Sequence, residues 1–184
     1  MKKILLISGS PRPNGNTTQV LAECAKAIKE LNVETEIISL ANKKILGCSA
    51  CYKCEKDIVC ALNDELNSII SKIRKSKGLI IGAPIYFGTI RGDLMNLIQR
   101  VGMVSLCSDH FLAGKVGGPI VIARHGGYKI PISEILSFYE ISNINVPDSL
   151  YKTNVIGRNP GEALRDKKGM KAVIKFATDV AKLI

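Results

Sequence analysis

The 184-residue sequence predicts an α/β fold, a doubly wound, five-stranded parallel sheet with helices on both faces, in one domain over residues 1–184. Three observations carry this expectation. Short apolar runs of strand length alternate along the chain with longer segments of helical apolar spacing, the pattern of a parallel sheet covered on both sides. Turn-forming residues close most of the short runs. No internal repeat, low-complexity tract or linker divides the chain, and its length suits a single sizeable core.

Taken in order, Lys3 to Ile7 is the first buried strand, ended by the turn-formers that follow it. Val20, Leu21, Cys24, Ala27, Ile28 and Leu31 form a helical stripe, and Thr35 to Leu40 is a second, β-rich strand. Asp64 is placed to cap a helix whose apolar face is Leu66, Ile69, Ile70 and Ile73. Leu79 to Ala83 reads as a third strand stopped by Pro84, and Leu94, Leu97, Ile98 and Val101 line the next helix. Val116 to Ala123 is a fourth strand despite Gly117, Gly118 and Pro119 at its start. Residues 131–140 read as helix, Ile144 to Val146 as a short fifth strand, and 147–166 as a long ordered loop. A last helix carries Met170, Val173, Ile174, Ala177, Val180 and Ala181 on one side.

Composition narrows the function. The chain is 46% apolar and 23% charged, ordinary globular usage that excludes a disordered or fibrous chain. Its formal net charge of +10 points to nucleic acid or to an acidic docking partner. Aromatics make up only 5%, with no Trp, so material for base-stacking platforms is scarce. No apolar run approaches the roughly 20 residues of a membrane helix. The apolar start, Met1 to Ile7, is too short for a signal peptide and reads as a core strand. A cytoplasmic protein without a membrane partner is expected.

Between the first strand and first helix lies Ser8-Gly9-Ser10-Pro11-Arg12-Pro13-Asn14-Gly15-Asn16-Thr17-Thr18. This loop leads backbone N–H groups to a helix N-terminus, where phosphate is favoured, and Arg12 adds a fork of donors. It lacks the Gly-Lys-Ser/Thr ending of a Walker loop and the G-x-G-x-x-G of a dinucleotide site. The plainer alternative is a polar loop in which Asn16 or Thr17 merely caps the helix. Pro84-Ile85-Tyr86-Phe87-Gly88-Thr89 follows the third strand and suits an aromatic ring with a polar edge. Arg124-His125-Gly126-Gly127-Tyr128 follows the fourth. All three leave the carboxyl edge, where open α/β sheets bind ligands, and together they describe a mononucleotide site. Ordinary packing of Tyr86 and Phe87, and a structural hydrogen-bonding role for His125, are the alternatives.

Of six cysteines, four form Cys48-x2-Cys51-x2-Cys54-x5-Cys60, after the second strand and on the same edge. A chain of this size in a reducing compartment needs no disulfide staples, so the run points to metal or redox chemistry. Three thiolates at two-residue gaps suit a cube-shaped iron–sulfur cluster, and the fourth is close enough in sequence to return to it. The alternatives are zinc, whose all-cysteine sites normally pair two knuckles across a longer stretch, and free thiols beside a nucleotide. Cys24 and Cys107 read as buried apolar residues.

Ser8-Gly9-Ser10-Pro11-Arg12 with Asn16-Thr17-Thr18, and Pro84-Ile85-Tyr86, resemble the pattern of flavodoxin-like proteins of the NADPH-dependent FMN reductase superfamily. The cysteine run narrows the resemblance to the iron–sulfur flavoproteins of methanogens and other anaerobes. The resemblance implies FMN and one [4Fe–4S] cluster per subunit, in a homodimer or a dimer of dimers. It implies electrons from a ferredoxin-like donor, with dioxygen or peroxide as acceptor. Ser10, Arg12, Asn16, Thr17 and Thr18 would hold the FMN phosphate. Pro84, Ile85, Tyr86, Phe87, Gly88, Thr89, Arg124, His125, Gly126 and Gly127 would flank ribityl chain and flavin. Cys48, Cys51, Cys54 and Cys60 would ligate iron, in a loop at about 47–61. No catalytic side chain is assigned, since the redox chemistry is the cofactors'. Two readings compete: a cluster-free NAD(P)H-dependent FMN or quinone reductase, and a basic nucleic-acid-binding module. The dispersal of Lys and Arg along the chain argues against the second.

Overall fold

The computed structural model describes residues 2–184, apart from the side chains of 151 and 152; Met1 lies outside the described residues. Five strands form one parallel sheet: β1 (Lys3–Ser8), β2 (Glu34–Ser39), β3 (Gly78–Tyr86), β5 (Val116–Ala123) and β6 (Asn154–Ile156). Their spatial order is β2-β1-β3-β5-β6, while the two-residue β4 (Thr89–Ile90) pairs antiparallel with the end of β3. The helices are α1 (Asn16–Lys29), α2 (Cys54–Asp57), α3 (Leu66–Arg74), α4 (Gly92–Leu106), α5 (Lys129–Ile141) and α6 (Lys167–Lys182).

The period-two alternation of the strands divides the core into two layers. Leu5, Ile7, Leu79 and Ile81 face α3, α4 and α5, meeting Leu66, Ile70, Leu97, Val101 and Ile135. Ile4, Leu6, Ile80 and Ile120 face α1 and α6, meeting Leu21, Cys24, Val173, Phe176 and Val180. Leu31, read as part of the first helical stripe, lies past the end of α1 and is exposed.

Two expectations about strands are corrected. β3 does not stop at Pro84 but runs on to Tyr86. The reason is positional: beyond the Ser8–Gly82 pair the strand has lost its β1 neighbour, so a residue without an N–H is tolerated. The fifth strand is Asn154–Ile156, inside the stretch read as loop, and not Ile144 to Val146. Both segments use the same edge of β5. Asn145 makes a single parallel bridge to Val116, and β6 pairs with Val121 to Ala123. Pro119, which has no N–H, stands between the two, and Pro147 turns the chain from one to the other. The rest of 147–166 is built from two short 3₁₀ turns, Asp148–Lys152 and Ala163–Arg165. Among the described residues, no helix is long and apolar enough to cross a membrane.

Candidate functional site

The loops after β1, β3, β5 and β6 line an open cavity of about 360 Å³ at the carboxyl edge. It is lined by Ser10, Arg12, Gly15, Asn16, Thr17, Pro84, Ile85, Tyr86, Ile122, Arg124, Gly157 and Arg158. Three arginines and no carboxylate face this space, so its electrostatics favour an anion.

The first loop is shaped by its own hydrogen bonds. The Arg12 amide donates to Ser10 Oγ at 3.1 Å, and the Gly15 amide donates to the Arg12 carbonyl at 3.1 Å. A Cβ at Gly15 would stand 2.6 Å from Ser10 Oγ, so a side chain there would displace the hydroxyl that accepts from the Arg12 amide. As N-cap of α1, Gly15 offers no side-chain acceptor to the first-turn N–H groups. These open donors, at the positive end of a 14-residue helix, are suited to phosphate oxygens. The Asn16 side chain has a further contact. Its Oδ1 accepts from the Gly161 amide at 2.8 Å and from the Ala163 amide at 3.4 Å, tying the first loop to the last.

The expected mononucleotide residues therefore divide. Ser10, Arg12, Asn16, Thr17, Pro84, Ile85, Tyr86 and Arg124 share the cavity wall. Thr18 is not on it; its hydroxyl lies 2.8 Å from that of Ser8. Thr89 Oγ1 donates to Glu134 Oε1 at 2.5 Å, which anchors the β3–β4 turn to α5. Phe87 and Gly88 form that turn, both with positive φ, and the Phe87 ring is fully exposed. His125, Gly126 and Gly127 are exposed and outside the wall. Sequence reasoning missed Gly15 as a lining residue, and Ile122, Gly157 and Arg158 altogether. The signal for Gly157 and Arg158 was their place directly after a strand end, hidden because the fifth strand was read ten residues early.

The cysteine run lies where expected, between β2 and α3. Cys48, Cys51, Cys54 and Cys60 all line one further small cavity, together with Arg100, Met103 and Val104 of α4. All six cysteines are free thiols. Cys48 and Cys51 are exposed, Cys60 half-buried and Cys54 buried. Burial pushes the Cys54 thiol up, helped by neighbouring Cys107, which is half-buried rather than fully buried as expected. Hydrogen bonds from the Lys53 backbone and the Ser49 hydroxyl hold Cys51 down. Among the described residues, no three His, Cys, Asp or Glu side chains converge as ligands of a single metal ion.

Polar side chains fix both ends of this loop. Asn96 Nδ2 donates to the Ile45 carbonyl at 2.9 Å, and Arg100 Nη1 to the Leu46 carbonyl at 3.0 Å. At the far end Asn67 clamps the Cys60 peptide from both sides, at 2.9 and 2.8 Å. Asp64, expected as the cap of α3, stands one residue before the N-cap Glu65, which makes no side-chain cap bond; its carboxylate accepts from the Leu66 amide at 3.1 Å and from the Leu46 amide at 2.9 Å. It forms an ion pair with Arg100, whose side chain has 0% exposure. Burial disfavours the charge on each. Their mutual pairing and the surrounding hydrogen bonds outweigh it, holding the Asp64 carboxyl below and the Arg100 guanidinium above their usual ranges.

Between its anchors the loop backbone is strained. Ala50, Tyr52 and Ile58 occupy the left-handed region at φ 51°, 55° and 60°. For a β-branched residue this costs on the order of 1–2 kcal/mol. Ile58 is 49% exposed, so its side chain returns little. Ile58→Gly is therefore expected to raise stability by about 1 kcal/mol, read as a higher urea midpoint at unchanged slope; a lower midpoint would contradict the strain argument.

A doubly wound parallel sheet with an anion cradle after β1 and aromatic residues after β3 defines a mononucleotide-binding flavodoxin-like protein. Residues 2–154 match the family model described as NADPH-dependent FMN reductase. An iron-sulfur flavoprotein of Methanocaldococcus jannaschii is 33% identical over 99% of this chain and 97% of the relative. One of Methanosarcina thermophila is 31% identical over 99% of this chain and 96% of the relative. Among solved structures, a flavodoxin from the domain Archaea superposes with a TM-score of 0.64 at 14% identity, over 98% of this chain and 96% of its own. The chain belongs to the NADPH-dependent FMN reductase family, within its group of iron–sulfur flavoproteins. It is a flavin-dependent oxidoreductase with an electron-transfer function, and FMN is its flavin.

Proposed function

We propose that the protein takes electrons one at a time from an acidic, ferredoxin-like donor and delivers them to a small acceptor such as dioxygen or peroxide, working as a homodimer or dimer of dimers. The observation that carries this reading is the common cavity of Cys48, Cys51, Cys54 and Cys60 beside a buried guanidinium. Four thiols fit the ligand set of one [4Fe–4S] cluster, and a positive charge in the wall suits its net negative charge. The names of the relatives agree with it. When bound, FMN supplies one- and two-electron redox chemistry and the cluster single-electron transfer.

The chain's own residues supply position. The first-turn N–H groups of α1, the Ser10 and Thr17 hydroxyls, and Arg12, Arg124 and Arg158 hold the FMN phosphate, with Asn16 and Thr18 supporting that loop. Pro84, Ile85 and Tyr86 flank the ribityl chain and ring, with the exposed Phe87 to Thr89 turn and the Arg124 to Gly127 loop closing over them. The net charge of +10 steers an acidic donor, an attraction that weakens as salt rises.

The test is an oxygen-free preparation assayed for iron, acid-labile sulfide and FMN. About four iron and four sulfide per FMN are expected. Changing any of the four clustered cysteines to Ser should lower iron content, while Cys24→Ala, in the far core layer, should not. FMN without iron or sulfide after reconstitution would sink the cluster reading. The family match favours a second reading, a cluster-free NAD(P)H-dependent FMN or quinone reductase. Rapid bleaching of the flavin by NADPH alone, with no response to reduced ferredoxin, would establish it instead.

A further inference from the structure

Arg100 does more than close a loop. Its Nη2 donates to Cys60 Sγ at 3.0 Å, the one guanidinium contact to a thiol of the run. Nη1 and Nη2 also reach Asp64, and Nη1 the Leu46 carbonyl. Nε is buried and has no partner among the described residues, and Arg100 is one of the residues that line the thiol cavity. Buried donors without partners are rare, so this guanidinium keeps one N–H uncommitted beyond its bonds to Asp64, Leu46 and Cys60. α4 thus presents a desolvated cation, paired with Asp64, whose Nη2 donates to one thiol of the run.

We propose that Arg100 is the positioning residue that sets the reduction potential of the cysteine site, raising it, and that Asp64 limits the rise. This rests on the cluster reading above. Reduction adds one electron from a one-electron donor, such as a viologen mediator, and neither makes nor breaks a covalent bond. It leaves the cluster one unit more negative. A hydrogen bond to a ligating sulfur and a nearby positive charge stabilise that state over the oxidised one, which moves the midpoint upward. Asp64, paired to the same guanidinium, opposes this by its own charge. Removing either member should therefore shift the potential in opposite directions, a pattern that loss of packing does not produce.

The experiment uses the full chain, reconstituted without oxygen, with iron and sulfide measured before any titration. In potentiometric titrations followed by electron paramagnetic resonance, Arg100→Gln is expected to lower the midpoint and Asp64→Asn to raise it. The unaltered chain grown with guanidinium-¹⁵N arginine is expected to show a ¹⁵N hyperfine coupling on the reduced cluster signal. That measurement decides the matter even if both variants fail to fold. An iron-loaded chain lacking the coupling overturns the proposal, as do loaded variants whose midpoints match that of the unaltered chain. An unaltered chain that takes up no iron and sulfide overturns instead the cluster reading on which it rests.

Discussion

Gly117→Ala is expected to leave little or no folded protein. Gly117 pairs with Leu79 in the central β3–β5 ladder, and a Cβ added there would fall inside the Leu79 carbonyl. The obstruction is backbone, in a strand held by β1 on its other side, so no rotamer change relieves it. Relief requires the two central strands to part, which breaks ladder hydrogen bonds and opens both core layers. A loss of at least about 4 kcal/mol is expected, a large share of the stability of an ordinary domain. Gly126→Ala is the control, since nothing lies within 4 Å of its added Cβ. Urea unfolding followed by circular dichroism compares the two. A Gly117→Ala protein with the parent midpoint would show that β3 and β5 do not approach as described.

The second large effect concerns the Arg100–Asp64 pair in the protein free of any cofactor. Arg100→Leu leaves the Asp64 carboxylate, only 5% exposed, without its cation, and a loss of about 3–5 kcal/mol is expected. Much of that cost is the stranded charge and not the vanished attraction. The double variant Arg100→Leu, Asp64→Leu should therefore recover a substantial part of the loss, even though it forfeits Asp64's bonds to the Leu46 and Leu66 amides. A denaturation cycle across the parent, both single variants and the double measures the coupling. Strict additivity would show that the two groups do not depend on each other.

What the sequence disclosed, and what it hid, follows from the range of each interaction. Strands such as Leu79 to Ala83 declare themselves as short continuous apolar runs, and helices such as Leu94 to Val101 because burial repeats with the helical period. The cysteine run is legible because its spacing alone encodes a ligand set. Ile144 to Val146 and Asn154–Ile156 are equally short and apolar, and only the edge of β5 decides which becomes a strand. Arg100 passes for a polar residue beside the apolar stripe of its helix, because its partner Asp64 is 36 positions away. Asn16 reads as a phosphate-loop residue, and nothing local shows that its side-chain oxygen also accepts from Gly161, 145 positions on. Local pattern predicts elements, whereas side-chain commitments across the chain become visible only when those elements meet.

The anchoring of the cysteine loop bears on the order in which the protein is assembled. In small zinc domains the metal itself supplies the folding energy, so the empty chain is unfolded. Here Asn96, Arg100, Asn67 and Asp64 tie both ends of the loop to helices that the core already holds. Both ends of the socket are thus held by peptide and side-chain contacts. A group held by these thiols would then be gained or lost at a loop whose two ends keep their places, a change confined to that loop.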